Sequence, residues 1–250
     1  MNLSNVVASR DNKKVYRDGD TAVKIFDENF SKSDILNEAL NQARVEETGI
    51  TIPKLKKVSM IDGKWAISSE FISGKTLLDL MKENPNNIDY YLNQFVDLQI
   101  SVHKHKAPLL NKLRDKLNRK INQANINETS RYELCAKLKG MPKHDKVCHG
   151  DFMPSNIIIS DNDNRAYIID WSHATQGNAS ADVAITYLKF LLNNSEEIAD
   201  KYLDLFCKKT NTEKQYVQKW FPIVAASQSI KCKESELDFL LKWVNIVEYQ

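Results

Sequence analysis

Residues 148–159, Cys148-His149-Gly150-Asp151-Phe152-Met153-Pro154-Ser155-Asn156-Ile157-Ile158-Ile159, followed by Tyr167-Ile168-Ile169-Asp170-Trp171, carry the densest chemical information in the chain. A carboxylate at Asp151, a carboxamide five residues later at Asn156, and a second carboxylate at Asp170 leaving an apolar strand form one physical set. Phosphoryl transfer needs such parts: a group that orients and deprotonates a nucleophilic hydroxyl, and oxygen ligands for a Mg²⁺ ion that bridges phosphates. On that reading Asp151 acts on the hydroxyl, and Asn156 and Asp170 hold the metal. Ser155 is not read as a nucleophile, because no base is placed to activate it.

Outward from this stretch, the chain changes character. Before residue 72 it reads as strands with one helix: Val15-Tyr16-Arg17, the turn Asp18-Gly19-Asp20 and Thr21 to Phe26 predict a hairpin that puts Lys24 inside a strand. A helix is predicted from Asp34, capped by Ser33, with Ile35, Leu36, Ala39, Leu40 and Ala43 at helical spacing and Gly49 ending it. Pro53 to Val58 and Trp65 to Phe71 predict two further strands joined through Asp62-Gly63. After Gly74 the pattern is mostly helical: Leu77 to Met81, Tyr91 to Val102, and a long polar helix or hairpin from Leu109 to about Lys139. A short β interlude spans Val147 to Asp170, and helices follow, with Trp220, Phe221, Trp243 and Tyr249 as expected core anchors. The predicted fold class is α+β, with a small β-rich lobe and a larger helical lobe.

The ordered set resembles the aminoglycoside phosphotransferase and choline kinase superfamily, the small-molecule branch of the protein-kinase-like fold. HGDFMPSN matches that family's catalytic loop and IIDW its metal-binding strand end, and the segment from Gly177 to Ala184 looks like the family's following motif. The resemblance implies a bilobal fold, with residues 1–72 as the nucleotide-binding lobe and 73–250 as the helical catalytic and substrate lobe. It implies ATP and Mg²⁺ as cofactors, a small-molecule hydroxyl as acceptor, and Asp182 as a buried acid bracing the catalytic loop. Ala22-Val23-Lys24 looks like the kinase Ala-x-Lys strand, whose period of two puts Ala22 under the adenine and Lys24 on the phosphates. Glu38 would pair with Lys24, ahead of its competitors Glu46 and Glu47. The Glu70 carbonyl and the Ile72 amide would pair with the adenine edge, with Ile158 and Ile169 beneath the base. His149 would serve the loop structurally, and His173 receives no catalytic role.

Two departures from the family stand out. The turn over the phosphates, Ser9-Arg10-Asp11-Asn12-Lys13-Lys14, lacks glycine, so a Ser, Asn or Lys contact would have to substitute for close backbone approach. Met153 stands where the family often has His and protein kinases have Lys, which removes one contact to the γ-phosphate. These departures motivate a rival reading as a non-catalytic nucleotide-binding or scaffolding protein. A second rival is a protein kinase, which the missing Gly-rich loop and missing Ala-Pro-Glu segment oppose.

The composition narrows the classes further. The 250 residues include only seven Gly and six Pro, against collagen-like, low-complexity and turn-dense all-β architectures. Residues 1–15 lack a signal-like apolar stretch, no run approaches the ~20 apolar residues of a membrane span, and the four cysteines form no CxxC pair. A cytoplasmic protein with no membrane partner is the expectation. The net charge of +2 conceals an imbalance: between His103 and Lys146 there are twelve basic and four acidic residues. That segment reads as the solvated face of a helical hairpin, with an anionic substrate or nucleic acid as alternatives; Tyr132 as its one aromatic weighs against nucleic acid. The last 56 residues hold nine acids and eight lysines, too even a balance to attract a polycationic aminoglycoside. Sugar, nucleoside and amino-alcohol acceptors stay open, and oligomeric state is not legible.

Overall fold

The computed structural model describes residues 5–10 and 12–244. Tyr249, expected among the core aromatics, and Asp11, within the turn over the phosphates, lie outside the described residues. In chain order the elements begin β1 (Val6–Arg10), β2 (Lys13–Asp18), β3 (Thr21–Phe26), α1 (Lys32–Glu46), β4 (Leu55–Ile61), β5 (Lys64–Glu70), β6 (Gly74–Thr76) and α2 (Leu77–Glu83). They continue α3 (Ile88–Val102), α4 (Leu113–Gln123), α5 (Glu128–Gly140), β7 (Lys146–Cys148), β8 (Ile157–Ser160), β9 (Ala166–Ile168) and β10 (Thr175–Gly177). The helices α6 (Ala179–Leu192), α7 (Glu196–Thr210), α8 (Lys214–Gln218), α9 (Phe221–Gln228) and α10 (Glu234–Val244) complete the chain. Among the described residues, no helix is long and apolar enough to cross a membrane.

Two compact units share the chain: residues 1–91 with 153–174, and residues 92–152 with 175–250. The sequence division at 72/73 follows the change from strands to helices. The compact units are cut differently because β8 and β9 return to the first one, where β6 pairs with β8 and β8 with β9.

The first unit is built on an antiparallel sheet of order β1-β2-β3-β5-β4. Both expected hairpin turns form, with Gly19 at φ 61° in one and Asp62 and Gly63 at φ 47° and 80° in the other. Helix α1 packs on this sheet through Ile35 and Ala39, against Phe26 and Ile67. It begins at Lys32 after an N-terminal residue Ser31, earlier than the expected Ser33 cap. The expected apolar stripe is also corrected: Leu36 and Leu40 are exposed, since the inward face carries Glu38 and Asn41 beside Ile35 and Ala39. That polar intrusion rotates the buried face away from the two leucines.

The second unit is mainly helical. The long polar stretch resolves into the α4–α5 hairpin, and β7 pairs antiparallel with β10, a strand too short for its sequence pattern to reveal. Phe95 of α3 anchors the core, its ring 4.9 Å from Phe152 and 5.6 Å from Tyr202 between centroids. Trp220 and Phe221 are buried as expected, and Trp243 meets Phe221 edge to face at 5.2 Å.

Candidate active site

A cavity of about 450 Å³ in the first unit, a size typical of small-molecule sites, is lined by nine of the ten residues singled out in the sequence. Ala22, Lys24, Glu38, Glu70, Ile72, Asn156, Ile158, Ile169 and Asp170 all face it. The alternation of β3 brings Ala22 and Lys24 to the same side, α1 contributes Glu38, and the ends of β5, β8 and β9 deliver the rest. The tenth residue, Asp151, belongs to the second unit and has its own surroundings there.

The charged end of the cavity is a tight group of two lysines and two carboxylates. Lys24 forms an ion pair with Glu38, and its ammonium lies 3.5 Å from Asp170 Oδ1. Glu46 is occupied elsewhere, accepting the Leu55 amide at 3.0 Å. Lys13 Nζ donates to Asp170 Oδ2 at 3.2 Å, and the Ser172 hydroxyl donates to Asp170 Oδ1 at 2.9 Å. These side chains are largely buried, with only 7% of Glu38 and 10% of Asp170 exposed. Burial pulls the Lys24 ammonium down, but the carboxylates of Asp170 and Glu38 outweigh it and raise its pKa above the ordinary lysine value. Burial, and then the neighbouring positive charge of Lys24, lowers the pKa of Lys13.

Local backbone geometry aims the group. Asp170 sits in the left-handed region at φ 62°, ψ 62°, a conformation aspartate tolerates better than most residues. Asn41 of α1 donates to the carbonyls of Trp171 and Ser172 at 3.4 Å each, tying the segment after Asp170 to the helix that carries Glu38. Lys13, at the start of β2 just after the glycine-free turn, lines the cavity and donates to Asp170. The donor chemistry fits the expected cofactors. Asp170 and Asn156 offer carboxylate and carboxamide oxygens suited to a hard cation, and Lys13 and Lys24 offer positive charge suited to phosphates.

In the second unit the residues of the expected catalytic loop hang on Asp182. This wholly buried carboxylate accepts the Gly150 amide at 2.7 Å and the His149 amide at 3.2 Å, and His103 Nε2 lies 2.9 Å away. Burial works to raise the Asp182 pKa, but the hydrogen bond and charge of His103, with the loop amides, overcome it and hold the pKa below the ordinary value. The Asp151 amide donates to His149 Nδ1 at 3.1 Å, so His149 supports the loop. Thr186 donates to the Phe152 carbonyl at 3.0 Å. The Asp151 carboxylate itself is paired with Lys189 of α6.

Lys13 stands in the sequence only as one of several candidate contacts, and Lys189 and His103 are not identified there at all. Lys189 lies near the C-terminal end of α6, seven residues after the buried Asp182, and no local pattern marks it.

The chain matches the family model of the phosphotransferase enzyme family over residues 5–216, and it belongs to that family. No curated protein matches the sequence. Among solved structures it is similar to a thermostable mutant of the aminoglycoside phosphotransferase APH(4)-Ia in a ternary complex with AMP-PNP and hygromycin B. The identity is 13%, the TM-score 0.69, and the match covers 97% of this chain and 94% of that one. It is also similar to a choline/ethanolamine kinase family protein from Mesorhizobium loti, at 15% identity and TM-score 0.62 over 99% of this chain and 83% of that one. A third likeness is the choline kinase LicA from Streptococcus pneumoniae, at 15% identity and TM-score 0.61 over 100% of this chain and 88% of that one. At these identities the likeness establishes the fold, that of the kinase-like phosphotransferases.

Proposed function

We propose that the protein is an ATP- and Mg²⁺-dependent phosphotransferase that moves the γ-phosphate to a hydroxyl of a small molecule in the cytoplasm. The observation that carries this reading is the cavity in which Lys24, Glu38, Asn156 and Asp170 converge. The APH(4)-Ia complex, which holds AMP-PNP together with the small molecule hygromycin B, supports the same class of reaction.

On this reading Ala22, Ile158 and Ile169 hold the adenine between apolar walls, and the strand end from Glu70 to Ile72 reads its edge. Lys24, held by Glu38, and Lys13 neutralise charge on the phosphates, where fixed cations stabilise the transferring group. Mg²⁺, held through Asp170 and Asn156, would add its own charge against the phosphate oxygens. Asp151 orients the acceptor hydroxyl and takes its proton as the new phosphorus–oxygen bond forms. Lys189 holds the Asp151 carboxylate in place.

The test is ADP release over a panel of hydroxyl metabolites and antibiotics. Asp151→Asn is expected to lower turnover of the acceptor so found by about 100-fold or more while leaving AMP-PNP binding intact, as removal of a general base should. Undiminished phosphorylation by that variant would remove Asp151 from the mechanism.

A further inference from the structure

Lys13 and Lys24 reach Asp170 from neighbouring strands, but they are held unequally. Side chains alternate along β2, so Lys13 and Val15 line the cavity while Lys14 between them is exposed. Lys13, with 18% of its side chain exposed, donates to Asp170 Oδ2 at 3.2 Å, and Asp170 is its one ion-pair partner among the described residues. Lys24 has two partners, Glu38 and Asp170 Oδ1. The Ser172 hydroxyl also donates to Asp170 Oδ1. Each oxygen of the carboxylate proposed to hold the metal is therefore engaged by a side chain of this chain. The two ammonium groups balance the two carboxylates in charge, so a divalent cation added by itself would leave this largely buried group strongly positive. A cation carried in by a triphosphate brings net negative charge instead, and offers a displaced lysine a new partner. Displacing Lys24 would break its pairs with both Glu38 and Asp170, whereas displacing Lys13 breaks one.

We propose that Lys13 couples metal binding to nucleotide binding: it holds Asp170 against a bare divalent cation, and it leaves that carboxylate for the phosphates when nucleotide and metal arrive together. The inference rests on the reading of the cavity as a nucleotide and metal site. A backbone amide of a glycine-rich turn could not act this way, because the exchange of one anionic partner for another needs a charge on a flexible stem.

Mn²⁺ is the probe, titrated into the full chain without nucleotide and followed by its electron paramagnetic resonance signal. Lys13→Gln should bind Mn²⁺ about tenfold more tightly than the wild type. Lys14→Gln removes the same charge from the exposed face of β2 and should change that affinity by less than about twofold. Calorimetry with AMP-PNP and Mg²⁺ supplies the second arm. Here Lys13→Gln should bind no more tightly than the wild type, because the phosphate contact is lost together with the competition for Asp170, and this binding also reports that the variant is folded. The proposal is overturned if Lys13→Gln gains no Mn²⁺ affinity, if Lys14→Gln gains as much, or if the same gain appears with AMP-PNP and Mg²⁺. Asp170→Asn in the Lys13→Gln background tests the cavity reading separately. If Mn²⁺ binding survives that change, or if the wild type does not bind AMP-PNP, the nucleotide and metal reading itself falls and takes the proposal with it.

Discussion

Lys189 illustrates how a single side chain can reach a loop from a distant part of the sequence. Met153 carries no charge two residues after Asp151, yet Asp151 has a cation against it, delivered from α6. A charge-assisted hydrogen bond of this kind contributes roughly 1.5–3 kcal/mol. Lys189→Met is therefore expected to lower turnover about 10- to 100-fold, with the AMP-PNP dissociation constant unchanged, which titration calorimetry and steady-state kinetics would check together. Lys24→Met should behave in the opposite sense. It removes a cation from the cavity and leaves Glu38 and Asp170 facing each other, so nucleotide affinity itself should fall by about tenfold or more in the same calorimetric measurement. That Lys24, Glu38, Asn156 and Asp170 share one cavity is legible in the sequence through strand alternation, helix spacing and a short fixed interval. Lys189 is missed because pairing across 38 residues leaves no local trace.

At the level of elements, the loop from His149 to Phe152 is held from α3 and α6 through Gln99, His103, Asp182 and Thr186. Breaking a buried charged network by removing one partner costs about 3–5 kcal/mol. Asp182→Ala should lower the urea midpoint accordingly, or prevent accumulation of folded protein. The pH dependence follows from the direction of the Asp182 shift. Its pKa in the folded chain lies below the ordinary 3.8, so its stabilisation is complete above that value and is lost as the pH falls through the folded-state pKa. Urea midpoints measured downward from pH 5 should therefore drop below about pH 4 in the wild type, and Asp182→Asn should flatten that part of the profile. Elements with strong periodicity or a clear turn are legible in the sequence: the β2–β3 and β4–β5 hairpins, α2, α3 and the C-terminal helices. The start of α1 is misplaced there because two serines, Ser31 and Ser33, both suit a cap, and its buried face is misread because polar Glu38 and Asn41 are turned inward.

At the level of the whole molecule, the first unit is discontinuous. Residues 153–174 supply it with Asn156, Ile158, Ile169 and Asp170 after a long excursion through the second unit. A fragment of residues 1–91 keeps the five-stranded sheet and Lys24 but lacks both proposed metal ligands. It should show no thermal shift with ATP and Mg²⁺, whereas the full chain should gain several degrees, about the effect of ligand at 100 times its dissociation constant. Composition shows where strands give way to helices near residue 72, but a return of two short strands to an earlier sheet is a long-range event that periodicity does not encode. The same discontinuity sets an order in time during synthesis. The ribosome must extend the chain to Trp171 before the cavity has all its walls, and residues 92–152 emerge before that point. Until then the nascent chain holds Lys24 and Glu38 without the carboxylate of Asp170, so the proposed nucleotide capture would wait until residues 149–156 had already been made.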